Sequence, residues 1–144
     1  MRTPTRIQRR VADRRIRGLI DTSVLVDLNS IQPAQLPREV AVSAMTMAQL
    51  SAGPHAASTA AERARRQDRL QRAEAAFDPL PFDREAARAY GRIYAAVVAA
   101  GRKPRSRAVD LMIAATALAN DLPLYTRNMD DFVGLDDLLD VIEV

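Results

Sequence analysis

Four short apolar runs, and the helical stretches between them, restrict this chain more than any other feature. Leu19-Ile20 runs straight into the polar turn Asp21-Thr22-Ser23, and Val40-Ala41-Val42-Ser43 follows a loop over residues 29–38 that holds Pro33 and Pro37. Leu122 to Thr126 and Leu139 to Val144 are the other two. Runs this short, bounded by turn residues, read as strands. After the first, Val24, Leu25 and Leu28 supply the apolar positions of a short helix. After the second, Thr46-Met47-Ala48-Gln49 has the spacing of a capping box, which predicts a helix opening at Thr46 and stopped by Gly53-Pro54. Residues 59–77 then predict an arginine-rich helix, with Glu62/Arg66 and Asp68/Arg72 at i,i+4 spacing. Asp83 is an N-cap candidate for the clearest helix of all. Its Ala86, Ala89, Tyr90, Ile93, Val97 and Ala100 recur at helical period as far as Gly101. A basic loop, Arg102 to Arg107, leads to a helix with Asp110 at its start and Leu111, Ala114, Ala115 and Leu118 facing a core. Strands alternating with helices specify an α/β fold with a central parallel sheet of four to five short strands flanked by helices. The 144 residues suit one domain, expected over 18–144.

The chain has no Cys and a single His, His55. Disulfide frameworks, thiolate zinc sites and cysteine nucleophiles are thereby excluded, and a single His argues against a histidine-rich metal site or a Ser-His-Asp triad. His55 follows Gly53-Pro54 in a polar stretch and reads as a bystander. No apolar run reaches the roughly 18 residues of a membrane span. The basic N-terminal segment lacks the apolar core of a secretory signal. A cytoplasmic protein with no membrane association is the expectation. The formal charge of +3 is unevenly placed: residues 1–17 hold seven Arg against Asp13, so the rest carries −3. Such an arm is able to neutralise phosphates, but a flexible segment outside the fold, over 1–17, is the favoured reading. Residues 121–144 are the reverse, with seven acids against Arg127.

In an open parallel sheet, ligands gather at the carboxyl ends of the strands. Asp21 ends the first strand, Gln49 lies one helical turn past the second, and Asp110 opens the helix before the third. Arg127, Asn128, Asp130 and Asp131 follow the third strand. Carboxylates brought together raise one another's pKa. A hard divalent cation relieves that conflict, since Mg²⁺ takes a couple of carboxylates and keeps several waters, and such a site processes phosphate esters without His or Cys. Each residue also has a plainer role. Asp21 is placed to cap a helix, Asp110 to answer a helix dipole, Asp130 and Asp131 to be solvated, and Asn128 to sit in a left-handed turn.

Together these motifs resemble those of PIN-domain ribonucleases. Leu19-Ile20-Asp21-Thr22-Ser23-Val24 is similar to the first motif of that family and Thr46-Met47-Ala48-Gln49-Leu50 to its T-x-x-E-L segment. Asp110 to Ala117 is similar to its third motif and Thr126 to Phe132 to its fourth. The order spans residues 18–144, and the nearest subgroup is the VapC-like toxins of type II toxin–antitoxin modules. The resemblance implies a PIN-like fold and endonucleolytic RNA cleavage dependent on Mg²⁺ or Mn²⁺. It further implies inhibition by a cognate VapB-type antitoxin, and homodimers. It makes Asp21 and Asp110 the metal ligands and places Asn128 and Asp131 in the segment that completes the site. Thr22, Ser23 and Thr126 are candidates to add hydroxyls.

One position departs from the family. Gln49 stands where Glu is usual, which removes a negative charge and a group able to take a proton. Either a natural, weakened nuclease or a deliberate inactivation of a toxic enzyme fits that change. Arg102, Lys103, Arg105 and Arg107 are the candidates for drawing in an RNA backbone, with a solvated loop as their plainer reading. Aromatics make up only 4% of the chain, too few for extensive base stacking. The helix over 84–100, with Tyr90 and Tyr94, is available for dimer packing. The main alternative is a catalytically impaired PIN-like module that binds RNA or a partner. A phosphatase or DNA nuclease built on a similar acidic edge is a second, separated from the ribonuclease reading by substrate choice. A receiver domain lacks support, because the only Lys is Lys103.

Overall fold

A computed structural model describes residues 2, 3, 5 and 16–144. The expected basic arm over 1–17 therefore lies largely outside the described residues. Four strands form one parallel sheet: β1 (Arg17–Ile20), β2 (Glu39–Val42), β3 (Leu124–Thr126) and β4 (Val141–Glu143), in the order β2-β1-β3-β4. The helices are α1 (Thr22–Val26), α2 (Ala44–Ala56), α3 (Ala60–Ala76), α4 (Arg84–Ala99) and α5 (Ala108–Ala119). Short 3₁₀ turns occupy Leu28–Ser30, Pro33–Gln35, Pro104–Arg107 and Met129–Phe132.

The strands are short and apolar because both faces of the sheet are covered. Successive residues of β1 point to opposite faces, so Leu19 enters a core with Ile93, Val97, Leu111 and Ile113 from α4 and α5. Ile20 enters a second core with Val24, Leu25, Leu50 and Ala73 from α1, α2 and α3. In β3, Leu124 and Tyr125 divide in the same way. Gly18 is required by this packing, because a Cβ there would run into the ring of Tyr125. Helix α5 carries apolar residues on most of its surface and is accordingly buried along its length, at Leu111 and from Ile113 to Ala117.

Two helix boundaries differ from expectation. Ser43, not Thr46, caps α2, its hydroxyl accepting from the Met45 N–H at 3.0 Å. Thr46 is one turn inside and fully buried, so no capping box with Gln49 exists. Gly53-Pro54 also does not end the helix, which continues to Ala56. Pro54 lies in the last turn, where its missing N–H forfeits a single helical bond. The Asp83 and Gly101 boundaries are as read, and Thr59 adds a cap not assigned from the sequence. Thr59 and Asp83 accept from the Glu62 and Ala86 N–H groups. Gly101, at φ 77°, takes the left-handed turn beyond α4.

Candidate active site

The chain leaves β1 for β2 on one side of the sheet and returns to β3 on the other, which makes the β1/β3 boundary the switch point where a crevice opens at the carboxyl ends. Asp21 stands there. Its N–H donates to the Tyr125 carbonyl at 3.0 Å, and the residue is only 3% exposed. Oδ1 accepts from the Ser23 hydroxyl at 2.6 Å and the Val24 N–H at 3.1 Å, while Oδ2 accepts from the Thr126 hydroxyl at 2.5 Å. Asp21 is thus the N-cap of α1, and the same carboxylate is tied across to the end of β3. The two hydroxyls accept in turn: Ser23 Oγ from the Arg127 N–H at 3.1 Å and Thr126 Oγ1 from the Asn128 N–H at 3.0 Å. Asn128 itself has φ −125° and ψ 71°, so it is not a left-handed turn residue.

Gln49, half-buried on α2, reaches the same crevice. Thr22 Oγ1 contacts both Gln49 Oε1 and Thr46 Oγ1, the latter at 3.1 Å. A hydroxyl has one proton, so Thr22 donates to the amide oxygen and accepts from Thr46. That contact with Thr46 follows from burial of the α2 face, and its place in the capping-like spacing concealed it in the sequence.

Asp110 projects from the first turn of α5 and is half-buried. Its pKa is raised first by burial, then by the facing carboxylates of Asp131 and Asp21, against an opposing pull from Arg107. Three acids from separate segments therefore share one electrostatic environment, although among the described residues no three acidic, histidine or cysteine side chains by themselves form a metal-holding group. Asp131 belongs to the 3₁₀ turn over Met129–Phe132, and Arg107 Nε lies 3.6 Å from its Oδ1. Arg107 Nη1 also donates to the Asp130 carbonyl at 2.6 Å, and Arg102 Nη1 donates to that same carbonyl at 3.2 Å. Of the four basic residues singled out in the 102–107 loop, two are engaged on the turn that carries Asp131. Lys103 and Arg105 are exposed. These long-range pairings have no signature in local spacing.

A hollow of about 390 Å³ lies elsewhere, lined by Leu25, Val26, Leu28 and Phe77 with Arg65 and Arg69 from α3. It contains none of Asp21, Gln49, Asp110 and Asp131, and the crevice chemistry does not extend into it.

Such a molecule falls in the class of small parallel α/β domains whose acidic groups collect at the carboxyl edge of the sheet. The PIN domain profile matches residues 18–137, and the chain belongs to the PIN-domain family, among its VapC-like members. It is 38% identical over 122 residues to Ribonuclease VapC5 of Mycobacterium tuberculosis, covering 83% of this chain and 87% of that protein. Ribonuclease VapC8 of the same species is 39% identical over 101 residues, covering 69% of this chain and 89% of the relative. Among solved structures, a VapBC-5 member of the VapBC family of toxin–antitoxin systems from M. tuberculosis superposes with a TM-score of 0.73 at 36% identity, covering 89% and 97% of the two chains.

Proposed function

We propose that the protein is a divalent-metal-dependent endoribonuclease, the toxin of a type II toxin–antitoxin pair, acting in the cytoplasm. What supports this reading is the placement of Asp21 at the switch point of the sheet, with the charges of Asp21 and Asp131 adding to burial in raising the pKa of Asp110. Kinship with proteins named as VapC ribonucleases supports it independently.

The donor set suits a hard cation. Oxygen is the sole donor type of the three acids, and their mutual repulsion is relieved by a positive charge. Asp21 and Asp110 would hold Mg²⁺ or Mn²⁺, with Asp131 and Asn128 completing the pocket. When bound, such an ion supplies charge stabilisation to a phosphoryl group and lowers the pKa of a coordinated water. The chain's own residues set the stage. Ser23 and Thr126 fix both oxygens of Asp21, so its carboxylate is preorganised. Thr22 orients Gln49, whose amide offers shape without charge. Lys103 and Arg105, exposed beside α5, would draw in the RNA backbone. Hydrolysis joins a water oxygen to phosphorus and breaks one phosphorus–oxygen ester bond, the leaving oxygen taking a proton.

A VapB-type antitoxin would act on the same acids, since an arginine placed between Asp21 and Asp110 satisfies both. Homodimerisation is part of the proposal. Tyr90 and Tyr94 pack edge to face at 6.1 Å on α4, and Tyr94 and Val98 are 37% and 52% exposed.

RNA cleavage with Mg²⁺ or Mn²⁺, comparing the chain with Gln49→Glu and with Gln49→Glu plus Asp21→Ala, tests the reading. The first substitution restores a carboxylate at the pocket, and cleavage should rise by about a hundredfold or more, the scale of one charge-stabilising group; loss of Asp21 should abolish it. If no variant cuts RNA and calorimetry detects no metal binding, the catalytic reading fails. The Gln49 amide then marks a PIN-like module that binds RNA or a partner.

A further inference from the structure

We propose that Arg107, assisted by Arg102, is a positioning residue that clamps the 128–132 turn and keeps Asp131 facing Asp110, and not a contact for the RNA backbone. The inference rests on the nuclease reading for its consequence but on geometry for its content.

Asp131 occupies an unfavourable place. Its charge acts on Asp110, and it lies in a 3₁₀ turn whose N-terminus has no side-chain cap. Like-charge repulsion would turn its carboxylate toward solvent unless something held it. The turn is anchored at one end by the Asn128 N–H on Thr126 and at the other by buried Phe132. Between these anchors, two guanidinium groups converge on the Asp130 carbonyl, at 2.6 Å from Arg107 and 3.2 Å from Arg102. Arg107 Nε adds a 3.6 Å contact with Asp131 itself, and the two side chains are each only 31% exposed. The planar fork of arginine suits this double task, because one donor binds the backbone while another meets the carboxylate. A lysine ammonium is a compact point charge that lacks this fixed fork. The Arg107 guanidinium is held by the protein's own turn, with Nη1 and Nε directed at it.

Arg107→Ala, Arg107→Lys, Asp131→Ala and the double Arg107→Ala/Asp131→Ala variant discriminate the two roles. Hydrogen exchange, which needs no activity, is the direct readout: amide exchange over 128–132 should quicken at least tenfold in Arg107→Ala, with α4 and α5 unchanged. In RNA cleavage, kcat should fall while KM and its salt dependence stay as they are. Arg107→Lys should recover little, and in the Asp131→Ala background the arginine should no longer matter. A phosphate contact behaves oppositely, with raised KM, a salt slope shallower by about 0.7, and additive losses. That pattern, or unchanged exchange over 128–132, overturns the proposal. Should the chain prove inactive on RNA even as Gln49→Glu, the nuclease reading alone fails, and the exchange result still decides the clamp.

Discussion

Two charged regions of the molecule handle charge in opposite ways. Helix α3 spreads its ions over a solvated surface and pairs them locally: Arg66 and Arg65 meet Glu62 at 3.1 and 2.5 Å, and Arg72 meets Asp68 at 3.0 Å. At the switch point, Asp21, Asp110 and Asp131 are drawn together from segments far apart in sequence, partly or wholly buried, with Arg107 as the cation that faces Asp110 and Asp131. The first arrangement costs little and contributes little. The second opposes folding of the metal-free chain, and a site that stores repulsion in this way is suited to receive a cation or the arginine of an inhibitor.

The largest effect should follow from removing charge at the switch point. Asp110→Asn keeps the side-chain shape and the helix but deletes the carboxylate that burial and its neighbours disfavour. Cleavage should fall by about a hundredfold or more, on the scale of losing one transition-state group, while the melting temperature of the metal-free protein rises. Activity assays paired with thermal melts in chelator check both halves. A variant that loses activity and stability together would place Asp110 in the class of ordinary helix N-terminal acids.

A pH titration sharpens the same contrast, because the two regions have opposite signs. Asp110 has a raised folded pKa, so on acidification from neutrality the folded state takes up a proton before the unfolded chain does. Its contribution to stability therefore improves as pH falls through the folded value and levels off below the unfolded one. Metal affinity should decline over that window, since the proton and the ion compete for one carboxylate. Glu62, lowered chiefly by its hydrogen bonds to Arg65 and Arg66, is the reverse. Its contribution is present above the unfolded value and is lost as pH falls through the folded one. Denaturant titrations of wild type, Asp110→Asn and Glu62→Gln across acid pH separate the two slopes.

The sequence made the α3 region legible and the site only half so, and the reason is distance along the chain. Glu62 and Arg66 are four residues apart on a helix whose N-cap, Thr59, is also local, so spacing alone places them. Asp21 was legible because it directly ends an apolar strand, and strand ends are where a parallel sheet gathers ligands. The α2 start was misread for a related reason. Thr46 and Gln49 have capping-box spacing, but Ser43 sits where β2 ends and takes the cap first, leaving Thr46 to be buried against Thr22. The basic loop gave no sign of its task. Arg107 and Asp131 are 24 residues apart, and only the packing of α5 beside the end of β3 brings them together.

The smallest effect belongs on α3. Asp68→Asn removes an exposed i,i+4 partner of Arg72, and the expected cost is about 0.3 kcal/mol, within the range for such helix pairs. That difference should shrink as salt is raised past about 0.15 M, where the Debye length is near 8 Å. Asp68 also lines the hollow between α1 and α3, so the substitution asks whether that hollow belongs to the catalytic machinery. With RNA cleavage unchanged, α3 is a solvated helix whose ions serve solubility and local helicity. A loss of cleavage comparable to that of Asp110→Asn would instead join the two regions into one functional surface and dissolve the contrast between them.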